Sequence, residues 1–386
     1  MSATGFDVCV SGSGAVAMSL TLALSAEGLR VAWARSPEAT SPAKADVRTY
    51  ALNARAITLL ERLRVWPALK AFSSPVFEMK ICGDGGGALS FSAWQQQVTE
   101  LAWIVDAAAL ERLLGEALRF APRVEIVPPL QGAQAPVKAA LLAICEGKHS
   151  GTRADLGVEF ARQDYGHWGV ATRLKAERPH NGVARQWFRS PDILALLPFN
   201  QPDPDASYGL VWSVPKERAE HLLSLNTADF ELELNDAVLQ SAPEAAEQIG
   251  HLSVASEVAG WPLALAQADR WMGPGWVLLG DAAHQVHPLA GQGLNLGLAD
   301  VDTLVTVLRE ARQREPWRTL GDERTLRRYA RRRETPTRAM AGLTDGLLHL
   351  FADQRGPLKD LRNAGMTLVE RLGPVKHWLV GRALDA

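Results

Sequence analysis

The chain has 386 residues, enough for two domains or for one large domain with a subsidiary one. Hydrophobic residues make up 47% and charged residues 22%, which describes a globular protein with a sizeable core and excludes disorder as the default. A net charge of −2 supplies no global field for nucleic acid, so no nucleic-acid partner is expected.

Met1–Asp7 carries no basic n-region, and the apolar run after it contains Gly12, Ser13 and Gly14, so no signal peptide is read. Asp7–Ser11 is a short apolar strand, Gly12-Ser13-Gly14 a turn, Ala15–Glu27 an apolar helix ended by Gly28, and Arg30–Ala34 a second strand. Amphipathic helices follow over Ala54–Leu63 and Asp106–Phe120, the second with Leu110, Leu113, Leu114 and Leu118 on one face. From Trp168 to Trp212 the chain turns to short β-branched and aromatic runs broken by Pro, Asn, Asp and Gly: Val183–Phe188, Ile193–Pro198 and Tyr208–Val214. These predict an antiparallel sheet. Thr227–Ser241 returns to helix, and Trp276–Leu279 is a buried strand. After Gly291 the helical period persists nearly to the C-terminus, with Pro316, Pro336, Pro357 and Pro374 expected to divide it into several helices.

No stretch approaches the roughly 20 apolar residues of a membrane-spanning helix. Cys9, Cys82 and Cys145 are odd in number and widely spaced, which suggests neither a zinc site nor a disulfide framework; a reducing cytoplasm fits best. Most of the 12 tryptophans are expected in the core.

Gly12-Ser13-Gly14-Ala15-Val16-Ala17 is a GxGxxA turn between strand and helix. Gly12 permits the tight turn, Gly14 lets backbone approach a pyrophosphate, and Ala17 permits close helix–strand packing, with the helix N-terminus facing the phosphates. The carboxylate expected at the end of the second strand to hold an adenosine ribose is absent; Arg35 stands there, and Glu38 is the nearest acidic substitute.

A second motif is more specific. Gly280-Asp281-Ala282-Ala283-His284 follows the buried strand, and Pro288-Leu289-Ala290-Gly291-Gln292-Gly293-Leu294-Asn295 opens the next helix. Asp281 suits the hydroxyls of a ribityl chain. Gly291 and Gly293 remove side chains where a flat ring must approach backbone. The helix starting near Gly293 points its N–H groups at the ring edge and favours negative charge there.

The run Gly280–Asp302 resembles the flavin monooxygenases of ubiquinone biosynthesis, which share the fold of p-hydroxybenzoate hydroxylase. The likeness extends over Val47–Asn53 with Leu59–Trp66, over Asp164-Tyr165, Glu177–His180, Val183–Gln186 and Leu194–Pro198, and over Arg362–Gly365 and the tail after it. The resemblance implies an α/β fold: a Rossmann-like FAD-binding domain (1–74, 98–158 and 262–335), an interleaved antiparallel-sheet substrate domain (75–97 and 159–261) and C-terminal helices (336–386). It places Gly12 and Gly14 on the FAD pyrophosphate, Arg48 near the cofactor, Asp281 on the ribityl and phosphate region, Pro288 beside the isoalloxazine, and Gly291–Gly293 on its pyrimidine edge. Ala17, Gly280, Leu294 and Asn295 are the remaining cofactor-binding residues of the two motifs. It further implies NAD(P)H as reductant, dioxygen as oxidant, and a polyprenylated phenol or quinol as substrate. Two departures are Arg35 and the run Cys145-Glu146-Gly147, where the family carries Ala-Asp-Gly. The stretch from Pro128 to Ala139 is also shorter than the family's.

The bound flavin does the hard chemistry in such enzymes, and no catalytic base is named. His284 and His287 read as structural hydrogen-bonding residues, and His180 as a surface residue. Arg324, Arg327, Arg328, Arg331, Arg332 and Arg333 read as the solvated face of a helix, with an anionic membrane surface as the alternative partner. The C-terminal leucines among Lys and Arg pack on the core or touch lipid, which fits a protein peripheral to the inner membrane. The rival class is a non-catalytic homologue serving as a scaffold in the ubiquinone enzyme assembly, and a third is a soluble catabolic hydroxylase.

Overall fold

Strand β1 (Phe6–Ser11) lies between β2 (Val31–Ala34) and β3 (Ala139–Ile144), parallel to both. This computed structural model describes residues 5–35, 46–84, 87–286 and 292–352. The sheet continues through β4 (Trp276–Leu278), which pairs parallel to β3, and through Val124–Val127 beside β2; Met272–Gly273 closes one edge antiparallel. Val8, Cys9 and Val10 are fully buried, as a parallel strand covered on both faces requires.

Helix α1 (Ala15–Ala26) crosses back over this sheet. It carries almost no polar face, because α2 (Ala107–Leu118) and α3 (Gln292–Arg314) both pack against it. Asp106 caps α2 by accepting from Ala108 and Ala109 N–H at 2.8 and 3.2 Å.

The second, nine-stranded sheet draws strands from four separate stretches. Phe160–Ala176, Ser207–Pro215, Asp192–Phe199 and Val183–Arg189 run antiparallel in that order, with Ala259–Ala268 on the near side of the first. Glu78–Gly83 joins Val183–Arg189 in parallel, since it arrives from far along the chain and not through a hairpin. Period-two alternation sorts the two faces. Tyr208, Leu210, Trp212 and Val214 join a core with Phe230, Leu234 and Val238 of the helix Thr227–Ser241. The intervening Val211 and Ser213, like Ile193, Ala195 and Leu197 next door, face a cavity.

The predicted α/β architecture is therefore present. One expectation is corrected. Pro336 does not end a helix; it lies inside α4 (Glu323–Ala352). A proline there forfeits one backbone hydrogen bond, at about 3 kcal/mol. Packing of α4 on α3 and on Met272–Gly273 offsets that loss. Pro316 does fall between α3 and α4, whereas Pro357 and Pro374 lie outside the described residues. Among the described residues no helix is long and apolar enough to cross a membrane.

Candidate functional site

The turn after β1 is set by a close backbone crossing. Gly12 has φ +126°, and a Cβ there would stand 2.3 Å from the Cys145 carbonyl oxygen at the end of β3. Its own carbonyl accepts from Trp33 Nε1 at 2.8 Å. Gly14 is the N-cap of α1 and supplies no side-chain cap. The N–H groups of the first turn thus lack a side-chain cap and form an anion-seeking end beside the main cavity. Ala17 is fully buried, where only a small side chain fits.

Beside this turn a cleft of about 450 Å³ is bordered by Gly14, Ala34, Glu146 and Thr152. Glu146 is the hub of its wall. Its carboxylate accepts from Ser11 Oγ at 2.5 Å, Thr152 Oγ1 at 2.7 Å, Ser150 Oγ at 2.7 Å and Thr152 N–H at 3.2 Å. Burial pushes this carboxyl upward, but the hydrogen bonds from Ser11, Thr152 and Ser150 outweigh it and hold the group below the usual carboxylate range. Arg35, just past β2, lays its guanidinium over the Trp33 ring at 5.0 Å. Glu38 lies outside the described residues.

The second turn follows β4. Gly280 has φ +58°, and a Cβ on it would approach Val16 Cγ2 to 3.2 Å; a Cβ on Gly297 of α3 would meet the same methyl at 2.7 Å. Three elements therefore touch through glycine: α1, the Gly280 turn and α3. Behind them lies Asp300, fully buried on α3. Its carboxylate accepts from Gly280 N–H at 2.9 Å, His284 Nε2 at 2.7 Å and Arg333 Nε at 2.7 Å. Nε2 of His284 must carry the proton in that bond, because a carboxylate can only accept. The His284 ring also stacks on Trp271 at 4.9 Å. His284 is thus a buried structural partner, as expected.

Asp281 projects from this turn into the main cavity. Although its side chain is open to that cavity, desolvation by the surrounding walls raises its carboxyl, only partly opposed by His284, Lys148 and Arg48. Gly293 and Leu294 of the first turn of α3 line the same space, and a Cβ on Gly293 would meet nothing within 4 Å. Asn295 does not face it: its Oδ1 accepts from Asn53 N–H at 3.1 Å and its Nδ2 donates to the Ala51 carbonyl at 2.7 Å. It pins α3 to the strand Thr49–Leu52 instead. Gln292 opens α3, with its side chain outside the described set; Pro288, Gly291 and His287 also lie outside it. Arg48 borders the cavity in a bidentate pair with Asp46, at 2.9 and 2.7 Å, and Tyr50 beside it is pushed by burial up to about 12.

The main cavity holds about 400 Å³. One end is polar and glycine-rich, formed by Gly14, Ala15, Asp281 and Gly293. The other is apolar, walled by Met79, Ile104, Ile193, Leu197 and Leu263. A cofactor with an anionic group, a hydroxylated chain and a flat ring matches the polar end: N–H donors at α1, a carboxylate for hydroxyls at Asp281, and side-chain-free backbone at Gly293.

Two readings from sequence are corrected. Arg333 is 3% exposed and ion-paired, not on a solvated face. It shares its helical face with the buried Leu326, Tyr329 and Ala330, while Arg324, Arg327, Arg331 and Arg332 do face solvent. His180 is buried as well, with Nε2 3.1 Å from the Pro204 carbonyl and Nδ1 accepting from Gly182 N–H at 3.0 Å. Burial lowers its pKa. Asp300 and Glu111 were not singled out from sequence, although a lone aspartate on the apolar stripe of α3 was a usable signal.

A model of the FAD binding domain family matches residues 121–342. The chain is 28% identical to the ubiquinone hydroxylase UbiL of Rhodospirillum rubrum over 398 residues, covering 98% of this chain and 89% of that one. It is also 28% identical to the 3-demethoxyubiquinol 3-hydroxylase of Escherichia coli over 399 residues, covering 98% of each. Among solved structures, PqsL of Pseudomonas aeruginosa superposes with a TM-score of 0.77 at 20% identity, over 94% of this chain and 99% of PqsL. The p-nitrophenol 4-monooxygenase PnpA of Pseudomonas putida gives 0.73 at 17% identity, over 97% and 96%. At those identities the two structures speak for the fold alone.

Proposed function

The chain belongs to the FAD binding domain family, and from that premise we propose that it is an FAD-dependent monooxygenase that hydroxylates the aromatic ring of a polyprenyl phenol or quinol in ubiquinone biosynthesis, with NAD(P)H and dioxygen as co-substrates. The reading rests most on one observation: the first turn of α1, the Gly280–Asp281 turn and the first turn of α3 line a single cavity. The names of the relatives support the choice of substrate class.

In this reading Gly12, Gly14 and Ala17 shape the pyrophosphate end, and Gly280 and Asp281 the ribityl region. Arg48 borders the cofactor, and Gly291, Gln292, Gly293 and Leu294, with Pro288, frame the ring. Asn295 acts by holding α3 in place. Bound FAD supplies the redox chemistry by which NAD(P)H electrons and dioxygen yield a ring hydroxyl. The protein's own part is to orient the phenol and to keep water from the reacting atoms. The apolar wall of Ile104, Ile193, Leu197 and Leu263 suits both tasks.

In the same reading the six-stranded sheet serves as the cofactor part and the nine-stranded sheet as the substrate part. A polyprenyl tail resides in a bilayer, so the protein works peripherally at the inner membrane, within reach of the other enzymes of the route. The test is to supply a short-chain prenyl phenol, NAD(P)H and isotopically labelled dioxygen to the FAD-loaded protein. One labelled oxygen in the product is expected; NAD(P)H oxidation that yields only peroxide with every prenyl phenol tried would overturn the assignment.

A further inference from the structure

Glu111 projects from α2 to the first turn of α1. The nearby Ala15 backbone N–H favours the ionised form of its carboxyl. A Cβ placed on Gly14 would lie 3.9 Å from its Oε1, and both residues line the main cavity. Arg48 faces it from before the strand Thr49–Leu52, with Asp46 and Tyr50 close behind; Asp281 stands along the same wall. The end of α1 that suits an anion is therefore already addressed by one, from a different helix.

We propose that Glu111 is an internal anion that opposes the FAD pyrophosphate at α1, so that FAD is held more tightly when Glu111 is protonated. This rests on the flavoprotein reading above. A phosphate at Gly14 and Ala15 would meet the same N–H and the same Arg48 charge that act on the carboxylate. Like charges a few ångströms apart in a partly enclosed site repel strongly. A neutral carboxyl removes the repulsion and can donate a hydrogen bond to a phosphate oxygen.

The surroundings make the proton accessible. Burial raises the Glu111 carboxyl, Arg48 lowers it and Asp46 raises it again, for a net rise. The charges of Arg48 and Tyr50 stay fixed between mildly acid and mildly basic pH, Arg48 being raised chiefly by its hydrogen bond to Asp46 and Tyr50 by burial. Asp46 also stays ionised, since its bonds to Arg48 outweigh its burial. Asp281 is the other carboxyl of this wall raised by burial, so the comparison must isolate Glu111.

The full-length protein, stripped of flavin, is titrated with FAD by fluorescence quenching at about pH 6 and about pH 8. Wild type, Glu111→Gln and Glu111→Ala are compared, with ADP and riboflavin as further probes. Glu111→Gln is expected to bind FAD about tenfold more tightly than wild type at the higher pH and to lose most of the pH dependence. ADP should follow FAD, because it carries the phosphates; riboflavin should not distinguish the proteins. Equal affinities in wild type and both variants at the higher pH would overturn the proposal, as would weaker binding in the variants, which would make Glu111 a ligand. If no protein takes up FAD at either pH, the flavoprotein reading itself fails and takes this proposal with it.

Discussion

Arg333 of α4 and Asp300 of α3 meet at 2.7 Å in a region closed to solvent, and the same carboxylate holds the Gly280 N–H on its other oxygen. A helix near the C-terminus thereby fixes the turn that presents Asp281. Asp300→Asn leaves the guanidinium buried without its counter-charge, and breaking one side of such a pair destabilises by about 3–5 kcal/mol. Urea unfolding should show that loss, and Asp300→Asn combined with Arg333→Met should recover part of it. The pH dependence has a definite sign. Burial raises the Asp300 carboxyl, but His284 and Arg333 outweigh it, so its folded pKa is depressed. The contribution is then complete above the unfolded value of about 3.9 and fades as pH falls through the folded value. Wild type and Asp300→Asn should converge in stability only below about pH 4.

Gly12→Ala is expected to fail for steric reasons, not for loss of flexibility. The added methyl would sit 2.3 Å from the Cys145 carbonyl oxygen, at a φ of +126°. Backbone strain alone accounts for about 1–3 kcal/mol, and the clash adds to it. A lowered urea midpoint with weakened FAD binding is the expected outcome. Unchanged values would mean that β1 and β3 end farther apart than described.

Glu146 gathers four hydrogen bonds at the cleft beside the turn. Glu146→Ala strands three hydroxyls and should cost about 1–3 kcal/mol in stability by urea unfolding. Glu146→Asp, one methylene shorter, should fall between, since it cannot reach Ser11 and Thr152 together. The folded pKa of this carboxyl is also depressed, so its contribution is lost below about pH 4 and is whole at neutrality.

Arg35 follows the strand end where an adenosine ribose would be held, beside the cleft lined by Ala34. Arg35→Glu exchanges a cation stacked on Trp33 for an acceptor of two hydroxyls. The FAD dissociation constant should fall by about ten- to hundredfold, the equivalent of one charge-assisted hydrogen bond. No gain would mean that the ribose is held by another group.

Much of this arrangement was legible in the residue order because it is encoded locally. The turn from β1 into α1 carries its glycines within three residues, and the helix Thr227–Ser241 falls where it was expected. The strands around Tyr208–Val214 show their two faces by alternation. What was not legible depends on partners far along the chain. Arg333 looks like its five neighbouring arginines until α4 is laid on α3, when it alone turns inward to Asp300. His180 looks like a loop residue until the carbonyl of Pro204 closes over it. Glu111 reads as the polar side of α2, and only the packing of α2 on α1 brings it to the Ala15 N–H. Pro336 reads as a stop, and packing overrides it.

The most direct measurement is the visible absorption spectrum of the purified full-length protein, before and after incubation with FAD and removal of the excess. A flavin band that survives the removal, with about one FAD released per chain on denaturation, is expected, and Asp281→Ala should retain less. A colourless protein that stays colourless after that incubation would contradict the assignment and favour a scaffold without flavin chemistry.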